Sequence, residues 1–226
     1  MDIAVYDCIR GDALTEQFGS TGAQVIRWIA PHMPDAHFTS VHVAADEPLP
    51  PVDRFDGVII SGSEKGVYDD TSWMAPLRAH LLDLREAGVP VFGICFGHQI
   101  MADVFGGRAE KADTGFITGE RDFIGEEGTV RAYLAHQDQV TEVPPGATVT
   151  ASAPHCPVAA LAYDFPALSV QYHPEFDAAF VRGVIDIYGP QLMTPEEAAA
   201  ARRSLTDKVS PDLYAGQVAR FFRDNA

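Results

Sequence analysis

Short apolar runs alternate with helical periodicities through the first half of the chain. IAVYD at 3–7, HFTSVHV at 37–43, DGVIIS at 56–61 and VPVFGIC at 89–95 are strand-like, and the segments 23–30 and 74–87 between them carry the helical pattern. The most legible helix places Met74, Leu77, Leu81 and Leu84 at three- and four-residue steps and stops at Gly88 and Pro90. Strands that alternate with helices predict an α/β fold with a mainly parallel sheet flanked by helices. From Arg108 onward the chain turns polar and glycine-punctuated, and further β runs follow at ATVTASA, VAALAY and ALSVQYH. These predict an antiparallel extension of the same sheet. Beyond Phe176 the pattern is helical, with a capping box at Thr194 and Glu197 around Pro195 and a second helix start at Ser210-Pro211. The linker-like ADEPLPPVDR is too short to divide domains, so 1–226 reads as one domain with a helical C-terminal segment from about 185.

Composition narrows the function. The 226 residues hold 16 Lys plus Arg against 32 Asp plus Glu, a net charge of −16 that repels phosphate backbones and anionic membranes. Neither nucleic acid nor a membrane is expected as a partner. No segment approaches the roughly 18 apolar residues of a membrane span, and no basic leader opens the chain. Cys8, Cys95 and Cys156 fit no disulfide or zinc framework, which predicts free thiols and a cytoplasmic setting. His32, His37, His42, His80 and His155 lack paired ligand spacing, so neither a metal nor another cofactor is expected. The acidic residues of TGERDFIGEEG read as a solvated face, and His155-Cys156 as a packed or surface pair.

Three segments carry candidate chemistry. Gly93-Ile94-Cys95-Phe96-Gly97 lies between a strand and a helix, which predicts a sharp turn that lifts Cys95 above the sheet at a helix N-terminus, where a thiolate is favoured. With 19 Gly and 3 Cys in the chain, such a pattern arises by chance on the order of 0.02 times. In His173-Pro174-Glu175, extended geometry turns residues i and i+2 the same way, so Glu175 can orient the imidazole while its other nitrogen faces Cys95. Read alone, that segment is a surface turn; beside an elbow cysteine it becomes the proton shuttle. Acyl chemistry also needs donors for an oxyanion, and the Phe96 N–H and the loop at Gly62 can supply them.

In chain order these pieces resemble the class I glutamine amidotransferases, particularly the free-standing type similar to the glutaminase domain of GMP synthetase. SGSEKGVYDD resembles the family's oxyanion loop, GICFGHQIMADVFGGRAEK its nucleophile segment, AHQDQV its Ser-His-x-Asp segment and QYHPEF its His-Pro-Glu segment. The resemblance implies a flavodoxin-like sheet, a Cys95, His173, Glu175 triad and oxyanion donors at Gly62 and Phe96. It also implies that Gln99 holds the γ-glutamyl group and that the backbone near His136 contributes to that pocket.

The expected function is hydrolysis of the glutamine side-chain amide, with ammonia passed to a separate synthetase, since the chain has no P-loop. The same cysteine chemistry on γ-glutamyl peptides is the enzymatic alternative. A non-catalytic binding or regulatory module is the alternative of another class.

Overall fold

The computed structural model describes residues 1–11, 13–125, 128–206, 208–209 and 211–226. Its elements are, through the first half, β1 (Asp2–Tyr6), α1 (Ala13–Phe18), α2 (Thr21–Ile29), β2 (His37–Val41), β3 (Gly57–Ile60), α3 (Met74–Ala87), β4 (Val91–Ile94) and α4 (Phe96–Val104). A β-rich stretch follows: β5 (Arg108–Lys111), β6 (Ile117–Gly125), β7 (Gly128–His136), β8 (Asp138–Glu142), β9 (Ala147–Ala153), β10 (Cys156–Tyr163) and β11 (Ala167–Val170). The chain ends in α5 (Ala178–Ile187), α6 (Gly189–Leu192), α7 (Pro195–Ser204) and α8 (Pro211–Asn225).

Nine strands form one sheet in the order β2-β1-β3-β4-β11-β10-β9-β6-β7. The first five run parallel, and β10, β9, β6 and β7 continue antiparallel. This is the mainly parallel α/β sheet with an antiparallel extension that the alternation of patterns predicts, in the flavodoxin-like form that the family resemblance implies. The expected extension divides in one respect: β5 and β8 pair with each other in a separate ribbon, which packs on α4.

Helices cover both faces of the parallel part, which is why its strands read as unbroken apolar runs. Ala4, Tyr6, Val58 and Ile60 face a core built with Leu77, Leu81 and Leu84 of α3 and with Ile100 and Met101 of α4. Ile3, Val5, Ile59, Phe92 and Ile94 face the opposite core, closed by Val25, Trp28 and Ile29 of α2 and by Val218 and Phe222 of α8. A third cluster, around Leu14, Phe176, Phe180 and Val184, joins α1 and α5 beside the end of β7.

Local signals place several boundaries. Ser20 caps α2 by accepting from the Ala23 N–H, so that helix begins at Thr21, ahead of the expected 23. Gly88, at φ 71°, closes α3 in the left-handed conformation that favours glycine. Strand β2 stops at Val41 because the chain then enters a 3-10 turn at Val43. The Thr194–Glu197 capping box forms at α7. Ser210, the expected second helix start, lies outside the described residues, and α8 is described from Pro211.

The acidic hairpin requires a correction. Glu120 is buried rather than solvated: its carboxylate accepts from the Thr206 N–H at 2.7 Å and hydroxyl at 2.8 Å. The segment after α7 is thereby tied to β6, because a buried carboxylate must be met by donors. Glu126 and Glu127 lie outside the described residues.

Helix α8 returns the C-terminal segment to the sheet. Phe222 is fully buried, and a Cβ at Gly57 would meet its ring at 2.7 Å, so the glycine that opens β3 makes room for it. Phe222→Ala is expected to lower stability by about 3–5 kcal/mol in urea-unfolding measurements. A loss below about 1 kcal/mol would show that the site collapses without a cavity.

Candidate active site

The strands β3, β4 and β11 are adjacent and parallel, so their carboxyl ends open at the same edge of the sheet. Open α/β sheets bind ligands at that edge. Gly62 follows β3, Cys95 follows β4 and His173 follows β11, and residues far apart in sequence meet there.

Cys95 stands between β4 and α4 with φ 52° and ψ −99°. For a residue with a side chain this is a strained conformation, of the kind found at nucleophile elbows. The flanking glycines serve close packing rather than backbone freedom. A Cβ on Gly93 would meet the Gly97 carbonyl carbon at 2.6 Å, and one on Gly97 would meet the Ile60 carbonyl oxygen at 2.5 Å. Helix α4 therefore sits directly against β4 and the end of β3. Backbone bonds clamp the turn: Cys95 N–H donates to Val170 O at 2.8 Å, and Gly97 N–H donates to Ser61 O at 3.2 Å.

His173 and Glu175 meet as the i, i+2 spacing predicts, with Nδ1 and Oε1 2.7 Å apart and both side chains almost fully buried. The His173 N–H donates to Tyr133 O at 2.8 Å, which holds the segment against β7. The imidazole is stacked on Phe176 at 3.8 Å with the planes 5° apart, a contact that sequence spacing does not announce. Burial pushes the imidazolium down, but Glu175 and Cys95, through charge and hydrogen bonding, outweigh it and push the pKa up to about 10.

His98 and His136, also buried, have no hydrogen-bonded carboxylate among the described residues and shift the other way. Burial pushes His98 down to about 4, and burial with the His173 charge pushes His136 down to about 3. His136 Nδ1 bonds Asp138 O at 3.1 Å, while its buried Nε2 has no partner among the described residues.

The loop after β3 is pinned by side chains. Ser61 Oγ accepts from Cys8 N–H at 2.9 Å and Ser63 Oγ donates to Cys8 O at 2.7 Å. Gly62 lies against the site: a Cβ there would meet His173 Cε1 at 2.9 Å and Cys95 Cβ at 3.8 Å. Phe96 heads α4, whose first-turn N–H groups have no acceptor within the helix. Gln99 also lines the pocket, and its Nε2 donates to Asp138 O at 2.8 Å and to Gln171 Oε1 at 3.1 Å.

Sequence reasoning missed Gln171. Its Nε2 donates toward Cys95 Sγ at 3.6 Å, and it is fully buried. Its parity with His173, two residues on, is the signal that could have found it. The pocket that contains the site is about 190 Å³, and one side of it is apolar, with Leu14, Phe116, Phe180 and Leu192 among its lining. Among the described residues, no three His, Cys, Asp or Glu side chains converge as metal ligands, and no helix is long and apolar enough to cross a membrane.

These features define an α/β protein with a strained cysteine elbow and a buried His–Glu pair at the carboxyl ends of its parallel strands. The chain belongs to the class I glutamine amidotransferase family, whose profile, "Glutamine amidotransferase class-I", matches residues 20–179. It is 34% identical over 178 residues to a "GMP synthase [glutamine-hydrolyzing]" of Burkholderia mallei, covering 68% of this chain and 31% of that protein. The chain thus spans about a third of the length of the curated relatives it matches. In fold it is similar to a glutamine amidotransferase from Methylobacillus flagellatus, with TM-score 0.79 and 20% identity over 100% of this chain and 94% of that one. A glutamine amidotransferase from Thermotoga maritima matches with TM-score 0.76 and 19% identity, over 98% of this chain and 98% of that one.

The raised His173 pKa gives a pH dependence with a definite sign. The ion pair stabilises the fold fully below the ordinary value of 6.5, and this contribution is lost as pH rises through about 10. Imidazole NMR is expected to show His173 protonated at neutral pH, with Glu175→Gln bringing the titration down. The stability lost between those two pH values should shrink in the same variant, and an unchanged titration would contradict the Glu175 pairing.

Proposed function

We propose that this chain hydrolyses the side-chain amide of glutamine with Cys95 as nucleophile, His173 as proton shuttle and Glu175 as its orienting partner. The carrying observation is the meeting of a strained elbow cysteine with a 2.7 Å His173–Glu175 pair at one sheet edge. Cys95 Sγ attacks the amide carbon as a thiolate, supported by the hydrogen bond that Gln171 directs at it. The oxyanion is met by the N–H groups of Gly62 and Phe96. His173, which holds its proton at neutral pH, gives it to the departing nitrogen, and ammonia leaves. Water then attacks the thioester, returns a proton to His173 and releases glutamate.

Gln99 and the backbone around His136 bound the end of the pocket that receives the γ-glutamyl group. Gln99 acts there as a brace as much as a contact, because its amide is already bonded to Asp138 and Gln171. Residues 1–226 act as one domain in this reading, since α8 closes the core behind the site. The ammonia would pass to a synthetase, taken here as a separate protein; the curated relatives carry the name "GMP synthase [glutamine-hydrolyzing]". A cytoplasmic setting fits three free thiols.

Two tests follow. A glutamine-mimicking electrophile should label the protein once, and Cys95→Ala should abolish the label in intact-protein mass spectra. Cys8→Ala and Cys156→Ala should retain it, because burial pushes both of those thiols far up. Labelling of Cys95→Ala at full stoichiometry would reject the nucleophile.

Ammonia release from glutamine should fall at least about 10³-fold in Cys95→Ala and in His173→Ala, and the double variant should be scarcely worse than either. Glu175→Gln should cost less, roughly 10²-fold, because it orients rather than transfers. Full activity in a folded His173→Ala would be fatal to the triad.

A further inference from the structure

We propose that the site also accepts γ-glutamyl amides whose amine carries an apolar group of aromatic size, and that Leu14, Phe116, Phe176, Phe180, Val184 and Leu192 form the subsite for that group. The inference rests on the reading that Cys95 attacks a γ-glutamyl carbonyl. It concerns the other half of the substrate.

The argument starts from the proton. The nitrogen that leaves must lie within hydrogen-bond reach of His173, because that ring protonates it. Whatever the nitrogen carries therefore extends past His173. The first surfaces there are aromatic: Phe176 is stacked on the imidazole, and Phe180 lies 4.3 Å from Phe176 between ring centroids. Leu14 and Val184 pack in the same cluster, while half-buried Phe116 and 46%-exposed Leu192 also line the pocket. Ammonia, the leaving group of glutamine, carries nothing that could cover this wall.

Leu14, Phe180, Val184 and Leu192 belong to α1, α5 and α6, outside residues 20–179 that match the family profile. These helices supply four of the six wall residues, and Phe116 and Phe176 come from within the matched span. The charged residues of the pocket, Glu64, Lys65 and Asp138, come from the loop after β3 and from β8, so these helices offer the amine an apolar environment. The chemistry balances with water alone: the Cys95 Sγ–carbonyl carbon bond forms, the C–N bond breaks, and His173 gives its proton to the leaving amine. Water then cleaves the thioester to glutamate.

The test compares kcat/KM of the intact chain for glutamine, γ-glutamylglycine and γ-glutamylphenylalanine. Burying a phenyl group should favour γ-glutamylphenylalanine over γ-glutamylglycine by about 10-fold or more. Leu192→Glu, at the exposed rim, and Phe116→Ala should each lower that ratio several-fold, with melting curves confirming that both variants fold. Equal turnover of the two dipeptides, or a ratio unmoved in both variants, overturns the subsite while glutamine hydrolysis stands. Failure to turn over any of the three compounds overturns the Cys95 reading and the subsite with it.

Discussion

The backbone of Cys95 is held where an L-residue does not rest unaided, and much of the surrounding structure keeps it there. At φ 52° and ψ −99° the cost is on the order of 1–3 kcal/mol. That cost is met by bonds that would break if the turn relaxed: Cys95 N–H to Val170 O, Gln99 N–H to Cys95 O and Gly97 N–H to Ser61 O. The first joins the elbow to β11, the strand before His173, and the third joins it to the loop that carries Gly62. The same contacts that strain the cysteine therefore bring the other two segments to it. Gly93 and Gly97 make this possible by letting α4 lie on β4 without intervening side chains.

Charge is the second constraint. The chain is strongly acidic, yet its site keeps a buried cation. His98, His136 and His173 are all buried, and burial alone would leave each neutral. Only His173 has a carboxylate at 2.7 Å, and only His173 is pushed up. Glu175 thereby serves both as hydrogen-bond partner and as counter-ion for the ring. Phe176, one residue on, holds the ring in its plane and opens the apolar side of the pocket. Four consecutive residues thus supply a buried imidazole, its carboxylate partner and an aromatic ring that lines the pocket.

The helices after β11 extend the fold in two different directions. Helix α8 completes the core on one face of the sheet through Val218 and Phe222. Helices α5 and α6 instead stand beside the carboxyl ends of the strands, where they shape what can approach Cys95. The segment between α7 and α8 is anchored by Thr206 on the buried Glu120. Tyr133 Oη donates to Thr206 O at 2.7 Å, so this residue is held by both β6 and β7, and Trp28 Nε1 donates to Pro211 O at 3.1 Å where α8 begins.

The sequence alone determined what depends on local geometry. Apolar runs gave the parallel strands because both faces of the sheet are covered, and Gly-x-Cys-x-Gly gave the elbow because only glycine tolerates such close packing. His173-Pro174-Glu175 gave the ion pair because the i, i+2 parity of extended chain brings those side chains together. What rests on strand order was not legible. The adjacency of β3, β4 and β11, the separate β5–β8 ribbon, the Gln171 bond to Cys95 and the burial of Glu120 join residues distant in sequence, and no local pattern encodes which strands become neighbours. The apolar wall is the clearest case. Leu14 and Leu192 look like ordinary core residues of amphipathic helices, and only the tertiary placement of α1 and α6 makes them line the pocket that holds Cys95, because hydrophobic burial is non-directional and does not name its partner.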